Sequence, residues 1–530
     1  MLFTSYEFLG FAAAVLLLYY LLPGRFQWPL LLAASCLFYC FAGPDNLIYI
    51  VTTALTTWFS ARRIARCARR QKEYLTRHKD DLSREEKRAY REKQKKIRFR
   101  WALACVLLNI GTLAVVKYTN FVISNVNGVM AAFGREGRLS FLDLALPMGI
   151  SFYTFQAVGY LIDVYRGAVE AEENPFKLSL FLSFFPQLVQ GPINRFADLR
   201  QTLFSRHPFD WGKVSRGLQR VLWGYFKKLV IADRILTAVN ALIGDTAAYT
   251  GAYVLAGMLF YALELYADFT GGIDITIGMA EAMGITLTEN FRRPYFSKSI
   301  KEYWRRWHMT MGSWFTDYIF YPVSVCKPML KLSRFGRAHL GNAVGKRLPV
   351  YLSTFIVWLA TGVWHGASWN FIAWGLGNWV VIMVSQELDP LYARFHRRFK
   401  VQGKLHFRLF QVVRTVLLMS CLRMFDCYRD VPLTFRMFAS LLTARNWHVL
   451  WDGSLLALGL TWADYWVLGA GTVLLVCVSL VQRKGSIRNR LRAAPCPARA
   501  AVWLGLFLCV LVMGAYGVGY DASQFIYNQF

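Results

Sequence analysis

Two histidines stand out because of where they lie. In the run T-G-V-W-H-G-A-S-W-N, residues 361–370, His365 is the one acidic, basic or imidazole side chain between Arg347 and Glu387. A neutral imidazole can take a proton from a hydroxyl while that hydroxyl attacks a thioester or ester carbonyl. Gly362 and Gly366 flank it, and residues without Cβ let backbone or substrate approach closely. In a soluble core a lone histidine is more often a hydrogen-bonded structural residue. At membrane depth, between glycines and tryptophans, the cost of an ionisable group turns the preference toward function. The second histidine closes E-Y-W-R-R-W-H, residues 302–308. Its spacing predicts Trp304 and His308 on one helix face, with Arg305 and Arg306 on others, where they would suit phosphate or carboxylate.

His308 belongs to a wider polar stretch, residues 266–321, which also holds Asp268, Asp274, Asn290, Arg292 and Arg293. The stretch is too polar to face lipid and too aromatic for a water-exposed loop. It predicts a half-inserted segment lining a cavity. Two histidines and several arginines around such a cavity suit acyl transfer. Other chemistries lack their residues. There is no G-x-S-x-G elbow, no Walker A run and no dinucleotide fingerprint. The ten cysteines form no C-x-x-C pair and have no zinc spacing, so neither a metal site nor a disulfide is expected.

The elements that hold these groups must be apolar helices. Hydrophobic residues make up 55% of the 530 and charged residues 18%, against about a quarter charged in soluble domains. That excludes intrinsic disorder and leaves a multi-pass membrane protein. Apolar segments occur at 8–22, 29–41, 47–60, 101–122, 144–162, 178–189, 218–236, 253–266, 351–363, 369–384, 412–424, 465–481 and 502–518. Several are shorter than the roughly 20 residues a spanning helix needs. The expected fold class is therefore all-α, a membrane protein with about 10–12 spans plus re-entrant half-helices. Segments 351–363 and 369–384 would pair as a hairpin with His365 at its tip. The first apolar run has no basic leader and no small-residue cleavage site, and is expected to be a retained span.

The net charge of +29 would suggest nucleic acid in a soluble protein. Here the basic residues cluster between apolar runs, as the charges that orient membrane helices do, so no nucleic acid is expected. Residues 61–100 carry 17 Lys/Arg against 6 Asp/Glu, a net +11, and should form a cytoplasmic helical loop. The plain reading is a solvated charged helix; anionic lipid or an acidic thioester carrier would also be attracted. With the other basic loops on the same side, the last residues, ending at Phe530, fall outside the cell. No internal repeat is visible, and the whole chain, 1–530, reads as one membrane domain with an outer tail at 519–530.

Taken together, six runs resemble the membrane-bound O-acyltransferase family. They are L-P-M-G-I-S-F-Y-T-F-Q-A-V-G-Y-L-I-D-V-Y-R-G (146–167), F-F-P-Q-L-V-Q-G-P-I-N-R (184–195), G-Y-F-K-K-L-V-I-A-D (224–233), E-N-F-R-R-P-Y (289–295), Y-W-R-R-W-H-M-T (303–310) and V-W-H-G-A-S-W-N (363–370). The likeness is strongest to the bacterial branch that acetylates alginate and peptidoglycan or D-alanylates teichoic acid. It implies a multi-pass helical funnel whose basin holds a catalytic histidine. His365 matches the family's W-H-G histidine, and His308 the second histidine of W-x-R-W-H. Where relatives read D-F-S-G-Y-S-D-M, this chain has D-F-T-G-G-I-D-I from Asp268. It also departs from the family after His308, which leaves the acceptor open. The final F-I-Y-N-Q-F is similar to a tail in the D-alanylation system whose tyrosine is a proposed acyl relay, so Tyr527 is a candidate relay. The alternative is a short interfacial aromatic anchor.

The resemblance implies an acetyltransferase of the inner (cytoplasmic) membrane, and the basic loops would place its C-terminus extracytoplasmic. Its donor would be acetyl-CoA or an acyl-carrier thioester, with no cofactor held tightly. The acceptor would be an exopolysaccharide or peptidoglycan, reached with an extracytoplasmic SGNH-type partner. D-alanyl transfer to teichoic acid is the rival of the same class. A non-enzymatic transporter is the rival of another class.

Overall fold

A computed structural model describes residues 3–135, 137–144 and 146–516. Every regular element among the described residues is helical. Among the described residues, six helices are long and apolar enough to cross a membrane: Arg84–Ala132, Ala252–Ala282, Asn342–His365, Leu405–Tyr428, Trp462–Gln482 and Cys496–Met513. The bent pair Trp369–Glu387 and Asp389–Phe399 brings the count to seven if it is one span. The difference from the expected 10–12 lies in segments that fold short. Residues 178–189 break at Phe184 into Pro175–Ser183 and Phe185–Leu188, and residues 218–236 are interrupted by a π-helical turn, Phe226–Ala232. Tyr6–Leu21 and Val431–Thr443 are apolar but shorter than a span.

The chain packs as two compact units, Met1–Gly217 with Met279–Thr288, and Leu218–Gly278 with Glu289–Phe530. In the first, the basic segment is the end of one long helix, Leu47–Arg77, and the start of another, Arg84–Ala132. A capping box starts the second: Glu86 N–H donates to Ser83 Oγ at 3.2 Å and Ser83 N–H to Glu86 Oε2 at 2.8 Å. Tyr74 meets Tyr90 with ring centroids 4.3 Å apart, and Arg98 donates to Gln71 Oε1. Most of the charges on this hairpin are exposed, while Arg62 pairs with Glu173 at 2.7 Å.

The second unit is built on Ala252–Ala282, whose most apolar window is two-thirds buried. Helix Trp211–Tyr225 runs into the π turn beside it, and the two backbones nearly touch. A Cβ on Gly224 would stand 2.6 Å from the Gly271 carbonyl oxygen. The π turn carries two successive lysines toward Ala252–Ala282. Lys227 Nζ lies 2.7 Å from Asp274 Oδ2 and donates to Thr270 Oγ1 at 2.8 Å. Lys228 Nζ lies 2.6 Å from Asp268 and 2.7 Å from Asp233. Arg220 bonds Asp274 at 2.8 Å and grips Glu289 with both terminal nitrogens, at 2.6 and 2.7 Å. Several of the charges that made 266–321 look like a cavity lining are thus spent on basic residues outside it. Asp268 and Asp274 neutralise buried lysines.

Candidate active site

The helix Asn342–His365 ends on His365, residues 366–368 turn, and Trp369–Glu387 returns. This is the hairpin expected from the two apolar runs. Its glycines serve the packing of the two helices. A Cβ on Gly362 would stand 2.6 Å from the Phe371 carbonyl oxygen, and one on Gly375 would stand 2.5 Å from that of Trp358. The space beside Gly366 is filled by the Phe371 ring. His365 is held against that closed seam, its ring 4.7 Å from Trp374 and edge-on to it. It is 7% exposed.

His308 is reached differently from the sequence expectation. The helix Ile300–Trp304 stops, and His308 begins a new helix, Met309–Phe315, with φ at +47°. Trp304 and His308 therefore do not share one helix face. The reason is non-local. Asn290 takes the place of the preceding helical turn: its carbonyl accepts from Met309 N–H at 2.9 Å, and its Oδ1 accepts from Thr310 N–H at 3.1 Å and Thr310 Oγ1 at 2.9 Å. The same Oδ1 lies 3.2 Å from His308 Nδ1. A backbone N–H only donates, so the Asn290 atom is oxygen, and His308 Nδ1 must carry the proton. Nε2 is then the basic nitrogen. Burial, and secondarily the charge of Arg423, push the His308 imidazole down to about 3, so it is neutral at ordinary pH.

Trp364 contacts both histidines, its centroid 6.1 Å from His308 and 5.1 Å from His365. The structure thus brings together the two residues that the sequence singled out. Arg305 is exposed, and Arg306 pairs with Glu302 at 2.5 Å, so neither arginine is built into the enclosure. Tyr527 lies outside the described residues. Among the described residues, no group of three or more His, Cys, Asp or Glu side chains is placed to hold a metal ion. All ten cysteines are free.

Arg423 was missed from the sequence. It comes from helix Leu405–Tyr428 and lies over three tryptophans, 5.7 Å from Trp304 and 5.0 Å from Trp307 and Trp374. Such contacts contribute about 2 kcal/mol or more when desolvated. The cage joins the segment carrying His308 to the hairpin carrying His365. Burial, partly offset by Arg423, pushes the neighbouring Tyr303 phenol up to about 12, which disfavours it as a nucleophile. The signal for Arg423 was available: it is one of two arginines, with Arg414, inside the mostly apolar run 412–424.

Spanning helices around two enclosed imidazoles define a multi-pass membrane protein equipped for proton transfer at a buried site. Residues 172–424 match the MBOAT, membrane-bound O-acyltransferase, family. The chain is 33% identical over 394 residues to a probable alginate O-acetylase AlgI of Azotobacter vinelandii, covering 73% of this chain and 70% of that one. It is 32% identical over 324 residues to a peptidoglycan O-acetyltransferase of Helicobacter pylori, covering 56% and 57%. It is 28% identical over 243 residues to a teichoic acid D-alanyltransferase of Bacillus subtilis, covering 44% and 58%. The chain belongs to the membrane-bound O-acyltransferase family. It is an O-acyltransferase, and the transporter reading falls away.

Proposed function

We propose that the protein takes an acetyl group from a cytoplasmic thioester, acetyl-CoA or an acyl carrier, and passes it across the inner membrane for O-acetylation of an extracytoplasmic polysaccharide, either alginate-like or peptidoglycan. The placement of His365 carries the reading: an imidazole enclosed by aromatic rings, with a small exposed edge, at the tip of a sealed hairpin. In this reading His365 removes the proton from an attacking hydroxyl as its oxygen bonds to the acyl carbon. The imidazolium then returns that proton to the leaving thiolate. His308, neutral and fixed by Asn290, is the second catalytic histidine, its Nε2 the basic nitrogen.

The net +11 segment marks the cytoplasmic side and attracts an acidic donor or anionic lipid headgroups. The C-terminal tail would then lie outside, where the phenol of Tyr527 accepts acyl as an aryl ester and yields it to a sugar hydroxyl, with an SGNH-type partner completing the transfer. The relatives named for acetylation are the more similar ones, which favours acetyl over D-alanyl. The test is reconstitution in vesicles with acetyl-labelled acetyl-CoA on the side of residues 61–100. The expected result is label on the C-terminal peptide, lost in Tyr527→Phe. Transfer from a D-alanyl carrier alone would overturn the acetyl reading.

A further inference from the structure

Helix Trp369–Glu387 carries three polar side chains on one stripe, Asn370, Trp374 and Asn378, spaced four apart so that they share a face. All three are at most 1% exposed. Asn378 has a partner at each end of its amide: its Nδ2 donates to the Trp374 carbonyl at 2.9 Å, and its Oδ1 accepts from Trp304 Nε1 at 3.2 Å. The two residues nearer the turn differ. Among the described residues, Trp374 Nε1 and both amide atoms of Asn370 have no hydrogen-bond partner. A buried donor left without a partner is costly to the folded state. The fold therefore satisfies this stripe at its far end and leaves it open beside His365, whose ring is 4.7 Å from Trp374.

The location adds a second favourable element. Asn370 lies in the first turn of a 19-residue helix, where the backbone dipoles place a partial positive charge. Ser368, at the N-cap, has extended backbone and makes no side-chain capping bond among the described residues. That helix end points into the turn immediately after His365.

We propose that Asn370 Nδ2–H and Trp374 Nε1–H, at the positive end of this helix, form the site that binds the acyl carbonyl oxygen and holds it as an oxyanion during transfer. The assignment rests on the acyl-transfer reading and adds the group that stabilises its charge. The acceptor oxygen bonds to the carbonyl carbon, and the C=O π pair moves onto the carbonyl oxygen. The acceptor's proton passes to His365. Collapse re-forms C=O, breaks the bond to sulfur or to the aryl oxygen, and the leaving group takes the proton from the imidazolium. Charge appears on the carbonyl oxygen only in the middle of this sequence, so donors left unsatisfied by the fold act most strongly there. Neutral N–H groups suit a transient oxyanion, because they bind the uncharged carbonyl of substrate and product weakly enough to release it.

The test uses the purified full-length protein with acetyl-CoA and measures kcat and KM for Trp374→Phe, Asn370→Ala and Asn370→Asp. Trp374→Phe keeps a ring against His365 and removes the donor. Asn370→Asp keeps an acceptor and removes the donor. Each should lower kcat by roughly 10²–10³-fold, with KM and affinity for an unreactive thioether analogue of acetyl-CoA changed less than threefold and the melting temperature near wild type. A variant that melts early, or that loses kcat only in step with analogue binding, assigns the stripe to packing and overturns the proposal, as does wild-type kcat in both Trp374→Phe and Asn370→Asp. If wild type itself transfers no acetyl from any thioester donor while folding and binding the analogue, the acyl-transfer reading fails first. Full activity of the variants beside a dead His365→Ala removes the oxyanion site alone.

Discussion

Replacing Asp274 by Asn removes the one carboxylate shared by Lys227 and Arg220. Arg220 keeps its two-pronged contact with Glu289, at 2.6 and 2.7 Å, so the loss falls on Lys227. The Lys227 side chain is 4% exposed, and its other bond is to the hydroxyl of Thr270 at 2.8 Å. A buried charge deprived of its partner destabilises by about 3–5 kcal/mol. The asparagine retains one oxygen near Nζ, so the lower end, about 3 kcal/mol, is expected. Lys227→Met is milder, since Asp274 still has Arg220 at 2.8 Å. In the double variant no charge is left unbalanced, and stability should return to within about 1–2 kcal/mol of wild type, because replacing a buried pair by apolar groups is often nearly neutral. The assay is unfolding of the purified protein in mixed micelles by titration with denaturing detergent, followed by tryptophan fluorescence. A coupling energy near 2–3 kcal/mol is expected from the cycle. Losses that add to within about 0.5 kcal/mol would refute the claim that this ion pair ties the π turn to helix Ala252–Ala282.

Three further outcomes follow from the site. His308 is depressed from 6.5 to about 3 by burial and then by Arg423, so the unfolded chain binds its proton first as pH falls. The stability due to this group is complete above pH 6.5 and should decline by up to about 1.4 kcal/mol per pH unit toward pH 3; His308→Asn, which tolerates positive φ, should flatten that decline in a melting-temperature series. Gly362→Ala should push the hairpin helices apart, because its Cβ would meet the Phe371 carbonyl at 2.6 Å, and acyl transfer should fall about 10²-fold through misplacement of His365, whereas Gly10→Ala, with nothing within 4 Å, should be silent. A unique cysteine at the exposed Ser83, in a cysteine-free background, should resist impermeant thiol reagents in intact cells; ready labelling would invert the proposed orientation.

The hairpin was legible in the sequence because it is local. Two apolar runs separated by a few small residues, with one imidazole between them, leave little choice of arrangement. Their apolar and aromatic surroundings picked out the two histidines, the family motifs matched them, and in the structure Trp364 contacts both. What the sequence could not show depends on contacts distant along the chain. The break before His308 is set by Asn290, 18 residues away, which accepts the first-turn N–H groups that a continuous helix would satisfy internally. The duties of Asp268 and Asp274 emerge only when the π turn brings Lys227 and Lys228 against them, 40 and 47 residues away in sequence. Arg423 was hidden because it is one of several charges on a helix still apolar enough to span, and only its contacts with Trp304, Trp307 and Trp374 set it apart from Arg414. The open end of the Asn370 stripe is visible only once Asn378 is seen to be paired.

The central claim is that His365 performs the proton transfer of acyl transfer. Its most direct measurement is the acyl-transfer rate of purified His365→Ala, with wild type beside it. The side chain lies at the end of its helix, against Trp374 and Phe371, so the variant should fold and melt close to wild type. Its rate should fall by about 10²–10⁴-fold, the contribution of a general base. A correctly folded His365→Ala that transfers acyl at the wild-type rate would contradict the account.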